Sequence, residues 1–359
     1  MIFQLAANYL ADAVERALPD AGAARELLKQ RRPDVLLRLQ QRHEQWRIQS
    51  KRREAPTLIK AEDAVILGIA RLGLRHGHFG SDLHTYHNED HALELLFGRL
   101  DRVLEVLPPD GFHLRDALVL ELFAAGHDLH QREPGVDHSG IGHNELASLA
   151  ETLRIMDACG FDRVRDADQY LAVAMAIAGS TFDASSFSAV TLDDPGVHEA
   201  SDPMSSGGAL APRLREWLGR EAPGTRIDDK MERALSLACI AADLDTGNVG
   251  EAFLLFCESA RRLCEEREMR AGRSLGSVES GRSCIDFLLH GQAHYLFDLH
   301  RFNSELGERA FATAKAQNGR RLRALSASFE RELLRPEHIG LSGHRVLAIY
   351  ADLAMQCAA

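Results

Sequence analysis

The chain has 359 residues, 45% hydrophobic and 26% charged, long enough for one large domain or two ordinary ones and composed like a soluble globular protein. Its net charge of −11 argues against non-specific attraction to nucleic acid or an anionic membrane, although bound divalent cations would let an acidic protein hold a small anionic substrate. The six cysteines form no CxxC pair, no apolar run reaches the about 20 residues that span a bilayer, and Met1 to Asp20 lacks the basic start of a signal peptide. These features point to the cytoplasm.

Residues 1–60 read as peripheral helices, with an Arg-rich stretch over 20–55 that contains Arg31-Arg32 and Lys51-Arg52-Arg53. A solvated helix face is the simpler reading of that stretch, and contact with a partner is the alternative. From 61 to 359, apolar residues recur at three- and four-residue intervals, as in Ala64, Leu67, Gly68, Leu72 and again in Leu93, Leu96, Phe97, Leu100, Val103, Leu104. Strand-like alternation is scarce and aromatics are only 6%, so the expected fold is all-α, a multi-helix domain. Gly179 to about Asp229 is rich in Ser, Gly, Pro and Asp and must interrupt the helices, either as a surface insertion or as a lid over a substrate.

Four blocks carry the chemistry. Tyr86-His87-Asn88-Glu89-Asp90-His91-Ala92 puts two histidines four residues apart, which on a helix would share one face. With 17 histidines in the chain, such a pair is weak evidence when taken alone. Gly126-His127-Asp128 follows the apolar run Ala117–Ala125, which would deliver the pair to a buried place. Imidazole suits zinc or iron there, and the carboxylate can bridge to a harder ion such as magnesium or manganese. Asp243 ends the apolar run Leu237–Ala242, where a buried charge needs a salt bridge, a cap or a metal. Gln292 and Tyr295 form a Gln-X-X-Tyr segment that would be an ordinary helix fragment on its own.

Taken in order, these blocks resemble the catalytic domain of class I 3′,5′-cyclic nucleotide phosphodiesterases, within the HD-domain superfamily of metal-dependent phosphohydrolases. The resemblance covers roughly residues 65–300 and includes Asn144-Glu145-Leu146-Ala147 and Glu265-Glu266-Arg267-Glu268-Met269. It implies an HD-like helical fold and two divalent ions, zinc or iron at the tight site and magnesium or manganese at the second. His91, His127, Asp128 and Asp243 would be the metal ligands. It further implies His87 as the acid that protonates the leaving 3′ oxygen, Glu145 as the residue orienting that acid or a water, and Gln292 and Tyr295 as the groups that bind and stack on a purine.

Some positions depart from the family pattern. Its His-Asp-X-X-His-Pro-Gly becomes His127-Asp128-Leu129-His130 followed by a later Pro134-Gly135, so the third histidine's part in binding water and substrate falls to His130. Its Asp-Leu-Ser-Asn becomes Asp243-Leu244-Asp245-Thr246, which removes an asparagine that reads the base and leaves cAMP against cGMP open. The expected reaction is hydrolysis of a cyclic nucleotide to the nucleoside 5′-monophosphate. The alternatives are an HD-type hydrolase of another nucleotide or phosphoester, a di-iron oxygenase, and a noncatalytic nucleotide-binding regulator. A small molecule is the expected partner, with no nucleic acid polymer and no membrane, and homo-oligomerisation is left open.

Overall fold

The computed structural model describes residues 9–49, 54–107, 113–131, 141–181 and 209–358, and these residues are all-α, with no strand among them. The chain divides into two compact units, one built from 1–181 and 209–245, the other from 182–208 and 246–359.

The first unit opens with α1 (Ala13–Ala17), α2 (Ala21–Arg31) and α3 (Pro33–Gln49), with Asp12 and Asp20 accepting backbone hydrogen bonds as N-caps of the first two. The long α4 (Ala55–Arg75) is buried continuously from Ala64 to Gly73, and α2 and α3 pack against it. These N-terminal helices are part of the first unit, and the second unit resumes after Asp245. Next come α5 (Glu89–Glu94), a π-helical turn over Leu95–Arg99, and α6 (Leu100–Glu105). The apolar α7 (Leu114–Gly126) is buried on every side from Asp116 onward. α4 and α7 approach closely because Gly68 has no side chain: a Cβ there would sit 2.7 Å from the Ala125 carbonyl oxygen. That contact seats the end of α7, just where His127 and Asp128 follow.

The unit is completed by α8 (His143–Ala158), α9 (Ala167–Ser180), α10 (Leu214–Glu221) and α11 (Asp229–Asp245). α9 and α11 pack along one another, with Gly179 so close to Ala238 that an added Cβ would lie 3.2 Å from its methyl. The stretch expected to be irregular over 179–229 is helical at 214–221, and the candidate lid over 182–208 lies outside the described residues. Buried charges tie the N-terminal helices down. Glu121, fully buried on α7, accepts from Arg42 and from the Trp46 indole and faces His43. Burial pushes its carboxyl up, but the hydrogen bond from His43 and the Arg42 charge outweigh that and hold it down at about 2.

The second unit holds α12 (Phe253–Arg270), α13 (Val278–Asp286), the short α14 (Gln292–His294) between two π-helical turns, α15 (Glu305–Leu333) and α16 (Gly343–Ala358). Phe253, Phe256, Leu288, Leu325, Phe329 and Tyr350 are among its core residues. Among the described residues, no helix is long and apolar enough to cross a membrane.

Candidate metal centre

His91 is delivered by the start of α5. Asn88 is the N-cap, accepting from the backbone N–H groups of Asp90 and His91 and donating its own amide to the His84 carbonyl at 2.7 Å. His87 therefore lies before the helix and does not share a helical face with His91, which corrects the helical spacing argument. The two rings are nonetheless 6.2 Å apart, with Tyr86 edge-on to His87 and tilted against His91.

His127 caps the C-terminus of α7. Its Nδ1 sits 3.2 Å from the Phe123 carbonyl oxygen, which can only accept, so Nδ1 carries the proton and Nε2 is left with its lone pair. The neighbouring Asp128 receives a hydrogen bond from the Gln131 amide on Oδ1 at 3.1 Å, which leaves Oδ2 toward the imidazoles.

The fourth donor is Asp245, the last residue of α11. Arg99, fully buried in the π-helical turn after α5, donates to the carbonyls of Leu244 (3.0 Å) and Asp245 (2.5 Å), satisfying that helix end and fixing where the carboxylate stands. Asp245 Oδ1 lies 3.2 Å from His91 Nε2 and 3.5 Å from His127 Nε2, and Asp128 Oδ2 lies 3.7 and 3.2 Å from the same two nitrogens. His91, His127 and Asp245 offer donor atoms all within 4.8 Å of one another.

Asp243, the carboxylate expected from sequence, does not join this group. It is fully buried, but two residues earlier on α11 and so about 200° round the axis. Helix phase is the signal that separates the two: the half-buried Asp245 ends the stripe begun by buried Ala234, Ala238 and Ala241, whereas Asp243 follows exposed Ser236 and half-buried Cys239, whose thiol it helps to raise.

The four separations of 3.2–3.7 Å sit at or beyond the long end of hydrogen bonding. For the trio His91, His127 and Asp245 they are close to the edges of a metal polyhedron, since bonds of about 2.0–2.1 Å in tetrahedral arrangement set neighbouring donors about 3.3–3.4 Å apart, while Asp128 meets the two imidazoles but stands outside that trio. His127 Nε2 and Asp128 Oδ2 are also buried without a hydrogen-bond partner among the described residues. The donor set therefore fits a divalent transition ion.

The electrostatics agree. Burial raises the Asp128 and Asp245 carboxyls, but the adjacent imidazoles more than offset it and both lie well below the ordinary carboxylate range. Burial disfavours a charged His127, yet the two carboxylates hold its pKa well above the usual value. The buried Asp128 and half-buried Asp245 carboxylates draw in positive charge, as a proton or as a metal.

Glu145 stands in the first turn of α8 and is buried. Burial pushes its carboxyl up to about 7, with the negative Asp128 and Asp245 adding to the effect. Gly142 makes room for it, because a Cβ there would lie 2.0 Å from Glu145 Oε2. His130 has a different setting from its expected water- and substrate-binding one. Its Nε2 meets Glu151 at 2.7 Å within a network of arginines, and it lines a cavity of about 300 Å³ with Tyr9, Asp12, Arg75, His76 and Gln131.

In the second unit, Gln292 is buried on α14, with its Oε1 accepting from the Tyr350 hydroxyl at 2.6 Å. That bond orients the amide and leaves Nε2 as a buried donor with no partner among the described residues. Tyr295 is half-buried at the start of the following π-helical turn, its ring edge-on to His300. Arg99, Gln131 and Asp245 are the centre's residues that sequence reasoning missed. Searches of the chain against protein-family models, curated proteins and solved structures find no match.

Proposed function

We propose that the chain is a metal-dependent phosphohydrolase, and within that class a phosphodiesterase that opens a 3′,5′-cyclic nucleotide to the nucleoside 5′-monophosphate. The convergence of His91, His127 and Asp245 donor atoms within 4.8 Å of one another, with Asp128 Oδ2 3.2 Å from His127 Nε2 beside them, carries this reading. These four would hold the tightly bound ion, zinc or iron by donor type, and Asp128 would share its carboxylate with a second, harder ion such as magnesium or manganese. When bound, the ions supply Lewis-acid polarisation of the phosphoryl oxygens and acidify water.

The chain's own residues do the remaining work. In the reaction, water adds to phosphorus, the bond to the 3′ oxygen breaks, and that oxygen takes up a proton. His87, half-exposed beside His91, would deliver the proton as general acid. Glu145, poised near neutrality, would accept one from the attacking water or orient it. Phe123, Gln131 and Arg99 keep the donors in place. The oriented Nε2 of Gln292 supports hydrogen bonding to a base, and Tyr295 offers an aromatic face three residues on. Hydrolysis of a different phosphoester is the second reading, favoured by a donor set drawn wholly from the first unit.

A metal-by-substrate panel on purified protein tests both levels, using cyclic mononucleotides, cyclic dinucleotides and linear phosphoesters. We expect 5′-monophosphate from a cyclic mononucleotide, abolished by a chelator and by Asp245→Asn. Activity confined to linear esters or dinucleotides would overturn the cyclic-mononucleotide assignment, and no hydrolysis with any divalent metal would overturn the enzyme reading.

A further inference from the structure

The loop between α4 and α5 brings together a second set of donors that the phosphohydrolase chemistry does not use. His76 is the C-cap residue of α4, and the His84 N–H donates to its carbonyl at 2.8 Å, closing the loop on itself. Both rings are buried, with centroids 4.3 Å apart at a tilt of 47°. They converge on a single oxygen: Asp82 Oδ2 lies 3.5 Å from His76 Nδ1 and 3.4 Å from His84 Nε2. The Asp82 side chain is 53% exposed, so the group opens to solvent on that side.

These separations of 3.5 and 3.4 Å are too long for good N–H···O bonds and close to the about 3.3–3.4 Å edge set by metal bonds of about 2.0–2.1 Å. All three donors lie within 4.8 Å of one another. The same distance test is met by Glu15, His130 and Glu151, but there Arg71, Arg75 and Arg154 approach the carboxylates at 2.5–3.2 Å and supply the counter-charge. That group is an ion-pair network.

We propose that His76, Asp82 and His84 form a second site for a divalent transition ion of the zinc class, with a water completing its coordination. Two imidazole nitrogens and one carboxylate oxygen form a donor set suited to such an ion and poorly suited to calcium or magnesium. The site sits just ahead of the Tyr86–Ala92 block. Asn88 donates to the His84 carbonyl while its side-chain oxygen starts α5, so an ion that fixes His84 also steadies the turn presenting His87 and His91. The proposal does not depend on the phosphohydrolase reading.

The test uses full-length protein stripped with a chelator, refilled with zinc alone and counted by elemental analysis. Asp82→Ala and His84→Gln should each bind one equivalent fewer than the parent, and each should retain the zinc that Asp245→Asn loses. The double variant Asp82→Ala/Asp245→Asn should lose both. Parental stoichiometry in Asp82→Ala, with an unchanged helical circular dichroism spectrum, would overturn the proposal. Because Asp82 is exposed, that result stays decisive even if His84→Gln does not fold. Retention of parental zinc by Asp245→Asn would instead count against the main centre alone.

Discussion

Two buried groups in the first unit look alike in composition and behave as opposites. Around Glu15, His130 and Glu151, every carboxylate has an arginine: Arg71 spans both, Arg75 meets Glu151 at 2.8 Å, Arg154 meets Glu15 at 2.5 Å, and His130 closes on Glu151 at 2.7 Å. Around Asp128 and Asp245 stand imidazoles: His91 and His127 at 3.2–3.7 Å, with His87 also lowering the Asp128 carboxyl. The first group has its counter-charge built into the chain and draws together to hydrogen-bond length. The second holds its donors apart at 3.2–3.7 Å, and the nearby Arg99 donates to the Leu244 and Asp245 carbonyls and pairs with Glu94. Counting fixed positive charge separates an ion-pair network from a candidate metal centre where residue types alone do not.

The largest effect expected from this contrast lies at α11. Asp245→Asn should abolish zinc binding at the main centre and bring hydrolysis to background, a loss beyond the about 10–100-fold cost of removing an outer partner. Asp243→Asn should keep both, because its carboxylate is on another face of the helix. Metal content and turnover measured on the two variants side by side distinguish the positions, and loss of both properties in Asp243→Asn with retention in Asp245→Asn would reverse the assignment.

The converse change belongs to the network. Glu151→Gln strands Arg71, Arg75 and His130 around a neutral group, and removing one member of a buried ion pair costs about 3–5 kcal/mol of stability. Denaturant unfolding should show that loss while metal content stays parental. A drop in bound metal at unchanged stability would break the distinction between the groups.

A smaller effect is expected at Gly142. The Cβ added by Gly142→Ala displaces the mobile end of the Glu145 side chain, so the protein should fold and bind metal normally. Turnover should fall about 10- to 100-fold, because a misplaced catalytic group costs about that much. Unchanged turnover would remove Glu145 from the mechanism.

The subtlest effect is in pH dependence. In chelator-treated protein, Glu145 has a folded-state pKa of about 7 against an ordinary 4.5, so the folded state holds its proton more tightly than the unfolded chain. Its contribution to stability is then fully present below about 4.5 and declines as pH rises toward 7. Glu145→Gln should flatten that part of the stability profile. Asp128, Asp245 and Glu121 have depressed pKa values, so the stability they contribute is lost at the acid end and should be unaffected. An unaltered slope between pH 5 and 7 in the variant would show that Glu145 ionises normally.

The helical class was legible because three- and four-residue apolar spacing is a local property, plain in α4 from Ala64 to Leu72. His91, His127, Asp128 and Glu145 were legible from short blocks whose flanking residues are informative. Asp245 was not, since the match of Ala242-Asp243-Leu244 to a familiar segment outweighed the helix phase that sets Asp245 beside Ala241 and Ala238. The setting of His87 was misread because Asn88 is a stronger helix starter than a continuing residue, and it caps α5 after His87. Arg99 and Gln131 act through contacts with no local signature. Arg99 meets carbonyls more than 140 residues away in sequence.

The central claim is that four named atoms surround one ion. Crystals of the protein soaked in zinc, with anomalous diffraction recorded at the zinc edge, test it directly. A peak about 2.0–2.2 Å from His91 Nε2, His127 Nε2, Asp128 Oδ2 and Asp245 Oδ1 is the expected result. A zinc peak held by Asp243 in place of Asp245, or no peak among the four, would contradict it.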